Sequence, residues 1–164
     1  MGTKRVGWAR IKSLINENQN YLQHIRPGYV SVTADATLTS SDSGKVILVG
    51  PAAAGVASNT TITLPTAAEG LWFRFTYMGG AADAHWVKIA TGSDTNYYIG
   101  GIVQHDPDNG GDDTVVYHPN LSDDATLQWV TPDSGTWTEC WCDGTNWFVN
   151  GTVVSATDTG VAFS

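Results

Sequence analysis

Apolar positions between residues 3 and 25 return at three- and four-residue steps. Ile11, Leu14, Ile15, Leu22 and Ile25 carry the stripe, with Asn18 inside it. This spacing predicts a helix over residues 3–25. Thr3 is its candidate N-cap, Gly7 weakens its first turns, and Pro27-Gly28 stops it. As heptads, Ile11, Leu14, Asn18, Tyr21 and Ile25 take a and d positions, with Asn18 a polar residue in the seam. An amphipathic helix lying on its own domain would show the same pattern.

The helical period ends at residue 28. Short apolar–Thr runs follow, each closed by Gly, Pro, Asp or Asn. Strands are predicted at Tyr29–Thr33, Lys45–Val49, Thr60–Leu64, Leu71–Tyr77, His85–Ala90, Tyr97–Gln104, Thr114–Tyr117, Thr126–Thr131, Thr136–Cys142 and Trp147–Asn150. Alternation is clearest in residues 71–77, where Leu71, Phe73, Phe75 and Tyr77 share one face and Trp72, Arg74 and Thr76 the other. The turn-rich Asp143-Gly144-Thr145-Asn146 predicts a hairpin between the last two strands. The tail, Gly151–Ser164, is either a final strand or an arm reaching a neighbouring subunit. The expected fold is therefore mainly β: a β-sandwich or jelly-roll-like domain over residues 29–164, preceded by a helical or extended arm over residues 1–28.

Composition sharpens this division. The 164 residues carry a net charge of −8, and only 15% are charged. Lys4, Arg5, Arg10, Lys12 and Arg26 face Glu17 alone in the first 30 residues, so the arm is basic and the rest strongly acidic. Such a body repels nucleic acid and anionic membrane. No apolar run is long enough to span a membrane, and no signal-peptide h-region is present. Cys140 and Cys142 sit at i and i+2, on one face of a strand, and are read as free thiols packing as small hydrophobes.

Little of the sequence points to catalysis. Gly-x-Ser-x-Gly, His-Glu-x-x-His and phosphate-loop motifs are all missing. The glutamates Glu17, Glu69 and Glu139 form no evident pair. His24, His85, His105 and His118 are expected in structural or solvent-facing roles, although His105 and His118 could meet across a hairpin. Asp106, Asp108, Asp112 and Asp113 resemble calcium ligands. The loop departs from the calcium template where Gly110 replaces a ligand and Tyr117 the bidentate glutamate. No metal or cofactor is expected. Seven tryptophans, most in predicted strands, point first to core or subunit interface and second to sugar-stacking platforms.

An ordered series of segments then carries a family resemblance. It runs Thr37-Leu38-Thr39, Asp42-Ser43-Gly44-Lys45-Val46, Thr61-Ile62-Thr63-Leu64-Pro65, Gly70-Leu71-Trp72-Phe73-Arg74-Phe75, His85-Trp86-Val87-Lys88-Ile89 and Asp143-Gly144-Thr145-Asn146-Trp147-Phe148-Val149 with Gly151. It resembles a β-rich module of tailed-bacteriophage virion proteins, especially head-decoration (cement) and fibre-like proteins. The opening Gly2-Thr3-Lys4-Arg5-Val6-Gly7 is similar to the start of small structural proteins of marine and cyanobacterial phages. The resemblance implies a non-enzymatic protein, made in the host cytoplasm and seated on the capsid exterior. Its implied partners are the major capsid protein and copies of itself, commonly as a trimer, with neither nucleic acid nor membrane. Attachment and oligomer contacts are expected at Lys4, Arg5, Trp8, Arg10, Ile11, Leu14, Ile15, Asn18, Leu22 and Ile25. The alternative is a head- or tail-fibre component, or a carbohydrate-binding module, that recognises host glycan through exposed Trp.

Overall fold

The computed structural model describes residues 7–25, 28–82, 84–107, 114–121 and 123–164. Helix α1 spans Trp8–Ile25. The expected cap at Thr3 lies outside the described residues. Twelve strands follow among the described residues. β1 (Tyr29–Val32), β3 (Val46–Val49), β5 (Glu69–Tyr77), β7 (Tyr98–Asp106), β8 (Thr114–Leu121), β10 (Trp137–Asp143) and β11 (Trp147–Val154) form a seven-stranded sheet in the order β1-β3-β5-β10-β11-β7-β8. β2 (Ala36–Thr37), β4 (Thr60–Thr63), β6 (Trp86–Ala90), β9 (Thr126–Val130) and β12 (Val161–Phe163) form a five-stranded sheet in the order β12-β9-β6-β4-β2.

From β1 to β6 the chain steps from one sheet to the other at each strand. Its sheet neighbours are consequently parallel: β1 with β3, β3 with β5, β2 with β4 and β4 with β6. The β10–β11 hairpin is antiparallel, as its Asp143–Asn146 turn predicts, and slots between β5 and β7. Asp143 closes that turn by accepting the N–H groups of Thr145 and Asn146, both at 2.8 Å. The tail ends as a strand of its own body, β12 pairing with β9.

Alternation supplies the core. Phe73, Phe75, Tyr98, Ile102 and Trp147 of the larger sheet face Ile62, Ile89, Leu127 and Trp129 of the smaller, and all are buried. Phe73 packs on Trp147 with ring centroids 6.0 Å apart. Burial of nine side chains of this size is worth on the order of 20 kcal/mol before conformational entropy is counted. The architecture is a β-sandwich with an N-terminal helix, as expected from the sequence. β2 is an addition: at two residues it is too short for periodicity to register.

Candidate functional site

The outer faces of the two sheets differ in chemistry. On the smaller sheet, register places Thr37, Thr63, Ala90 and Thr126 in one line and Thr61, Lys88, Gln128 and Ala162 in the next. Trp86 on the same face is partly covered by the Lys88 ammonium, 5.3 Å from its ring centroid. An open groove of about 480 Å³ at one end is lined by Thr37, Thr63, Thr66, Thr91, Ser93 and Asn96 among others, with no ionisable side chain.

On the larger sheet one line of outer positions is apolar. Trp72 pairs with Trp141, Trp141 with Phe148, Phe148 with Ile99, and Ile99 with Leu121. Five strands thus contribute one continuous apolar row. Trp141 and Phe148 stack at 15° with centroids 6.0 Å apart. Trp141 remains 40% exposed and Leu121 85%. Beside this row lies the Arg74–Glu139 ion pair at 2.8 Å, its guanidinium 4.6 Å over Trp137. In the row beyond come Trp137, Val103 and Tyr117. Tyr117 is 59% exposed and lies over Gly101, where a Cβ would come within 2.5 Å of its ring. Monomers seldom leave a contiguous patch of this kind wet unless it binds something.

Helix α1 carries the second uncovered apolar surface. Trp8 is 70% exposed, and Ile11, Leu14 and Ile15 are exposed as well. Arg10 and Asn18 share that exposure. Leu22 and Ile25 belong to α1, while their side chains, with Lys4 and Arg5, lie outside the described residues. Among the described residues α1 has no extended packing against either sheet.

The remaining candidates resolve into scaffold. His105 and His118 sit on paired strands but on opposite faces, because His118 is register partner to Ile102 and His105 to Val115. The two rings therefore do not meet across the hairpin. His118 Nε2 lies 2.9 Å from Gln104 Oε1, which also accepts the Gly160 N–H at 2.8 Å, while Gln104 Nε2 donates to Thr157 O. Burial holds the His118 pKa below its ordinary value. Ser155 donates to Val130 O, so this polar cluster ties the tail to the sandwich. Asp106 is a buried strand end, and Asp108, Asp112 and Asp113 lie outside the described residues. No group of three His, Cys, Asp or Glu side chains able to hold a metal occurs among the described residues. Cys140 and Cys142 are free and buried on the inner face, and burial pushes both thiols up in pKa.

No protein-family model, no curated protein and no solved structure matches the chain. The site has to be read from its own geometry. The apolar row escapes a strand-by-strand reading because each strand gives it one residue. Its one signal in the sequence is Trp at outward positions, Trp72 and Trp141, on strands whose inner positions are already apolar.

Proposed function

We propose that the chain is a non-enzymatic structural protein of a bacteriophage virion, a capsid decoration (cement) protein that sits on the outer shell as an oligomer. The observation that carries this reading is the uncovered apolar stripe of α1, standing ahead of a β-sandwich that is complete without it. A helix with that much exposed apolar surface and a basic flank is built to be covered by another protein surface. The sandwich behind it offers one face with an apolar row for contacts and one hydroxyl-rich face for water. Decoration then works mechanically: contacts bridging neighbouring shell subunits oppose expansion, with no chemical step.

The test is binding to undecorated heads. Leu14→Asp with Ile15→Asp in the full-length chain should lower occupancy at least tenfold, since each buried aliphatic side chain contributes about 2 kcal/mol. Occupancy equal to wild type would end the reading. A second reading, host-glycan binding, is favoured by one feature, the Trp141–Phe148 stack facing solvent at the sheet surface. A glycan array on which Trp141→Ala abolishes signal would select it.

A further inference from the structure

Two apolar surfaces of one chain are left uncovered, and they match. The row Trp72-Trp141-Phe148-Ile99-Leu121 runs across five strands, about 19 Å at 4.8 Å per strand spacing. Helix α1, with 18 residues, is about 27 Å long, enough to cover that row from end to end. The charges match as well. Glu69, Asp143, Asp123 and Asp124 all lie at the sheet end where the row sits, because Asp143 pairs with Glu69 and β8 ends at Leu121. Lys45, at that same end, is already bound to Asp42 at 2.8 Å. The exposed side of α1 carries Arg10 and Lys12 next to its apolar stripe.

We infer that α1 of one copy lies along the apolar row of a second copy, its basic residues against that copy's carboxylate rim. The second copy is the occupant because the helix does not cover the row of its own chain: Trp8, Leu14, Trp141 and Leu121 are all exposed together. Within the row the exposed parts of Trp141 and Leu121 amount to on the order of 250 Å² of apolar surface, and those of Trp8, Ile11, Leu14 and Ile15 to on the order of 400 Å². One such contact alone is smaller than a stable specific interface. The contact joins two different surfaces, and every copy gives an arm and receives one. Copies therefore add until the series closes, as a reciprocal pair or as a larger ring, and closure adds effective concentration to each contact. This deepens the oligomer part of the decoration reading by naming the surface that receives the arm.

A complementation experiment decides it. An arm variant (Leu14→Asp, Ile15→Asp) keeps an intact row, and a face variant (Leu121→Glu) keeps an intact arm. Leu121 is at the end of an edge strand and 85% exposed, so the face variant folds; Trp141→Glu serves as a second face variant, with melting curves confirming both. Light scattering should show wild type assembled at tens of micromolar and each variant alone as the 17.5 kDa chain. An equimolar mixture of the two should give a species of twice that mass and nothing larger, because one arm fills one row and the series stops. A mixture that stays monomeric, or a face variant that assembles like wild type through arm–arm bundling, would overturn the inference. So would a wild type that is monomeric throughout. Head binding separates this from the function: a monomer that still decorates through α1 removes arm exchange and keeps the decoration reading, whereas complementation without head binding does the reverse.

Discussion

Asp42 shows how single side chains fix the turns of this sandwich. Its carboxylate accepts from Lys45 Nζ at 2.8 Å, from the Thr39 backbone N–H at 2.9 Å and from the Thr39 hydroxyl at 2.7 Å. These donors favour the charged form and take the pKa from 3.8 to about 2, the Lys45 contact contributing most. A folded pKa below the unfolded one means that the unfolded chain binds the proton first as pH drops. The stabilisation is therefore complete above the unfolded value of 3.8 and is lost as pH falls through about 2. Asp42→Asn should melt a few degrees below wild type at neutral pH, and the two melting curves should converge near pH 2. A constant difference across that range would show that the carboxylate charge is not what holds the turn.

Strands β7 and β11 run parallel, and their pairing depends on one glycine. Gly100 adopts φ +127° opposite Val149, and a Cβ there would come within 2.2 Å of the Val149 carbonyl oxygen. Gly100→Ala must therefore push two backbones apart and should cost more than about 3 kcal/mol, lowering the melting temperature by roughly 6–12 °C. Gly70 is the control: its φ is +82° but its Cβ position is open. Gly70→Ala meets only the left-handed penalty, about 1–2 kcal/mol and roughly 3–6 °C. Equal melting points for the two variants would contradict the close approach. The position of Gly100 is invisible in the sequence, where it is one of 18 glycines. The strands themselves were legible, because period-two runs such as residues 71–77 depend only on local alternation. Pairing was not legible. The parallel order β1-β3-β5 arises because the chain changes sheet at every strand, and nothing local in Tyr29–Val32 or Val46–Val49 records which strand comes to lie beside it. The apolar row was hidden for the same reason: Trp141, Phe148 and Leu121 become neighbours only through that order.

At the scale of the molecule, the chain is a tight sandwich with a helix that, among the described residues, has no extended packing against it, and its basic residues are divided accordingly. Arg10, Lys12 and Arg26 lie in or just after α1, with Lys4 and Arg5 ahead of it. The sandwich holds Lys45, Arg74 and Lys88 alone. Lys45 is bound to Asp42, Arg74 to Glu139, and Lys88 lies in a central strand against Trp86. A protease that cuts after Lys and Arg needs about a turn or more of chain unfolded around the bond, and a helix without tertiary packing opens at little cost. Brief trypsin treatment at sub-micromolar concentration should therefore cut the arm as far as Lys12 and leave a fragment of residues 13–164, because the Arg26–Pro27 bond resists trypsin. That fragment should melt within about 2 °C of the full chain, because no core residue is lost. At concentrations where copies associate, the arm should survive longer, since a helix seated on the apolar row of another copy must leave it before it can unfold. The Leu121→Glu chain should lose that protection while keeping the same fragment. Mass spectrometry of a digestion time course at two concentrations reads all three outcomes. Rapid cleavage after Lys45, Arg74 or Lys88 would mean the sandwich opens as easily as the arm, and concentration-independent loss of the arm would mean that nothing on a neighbouring copy holds it.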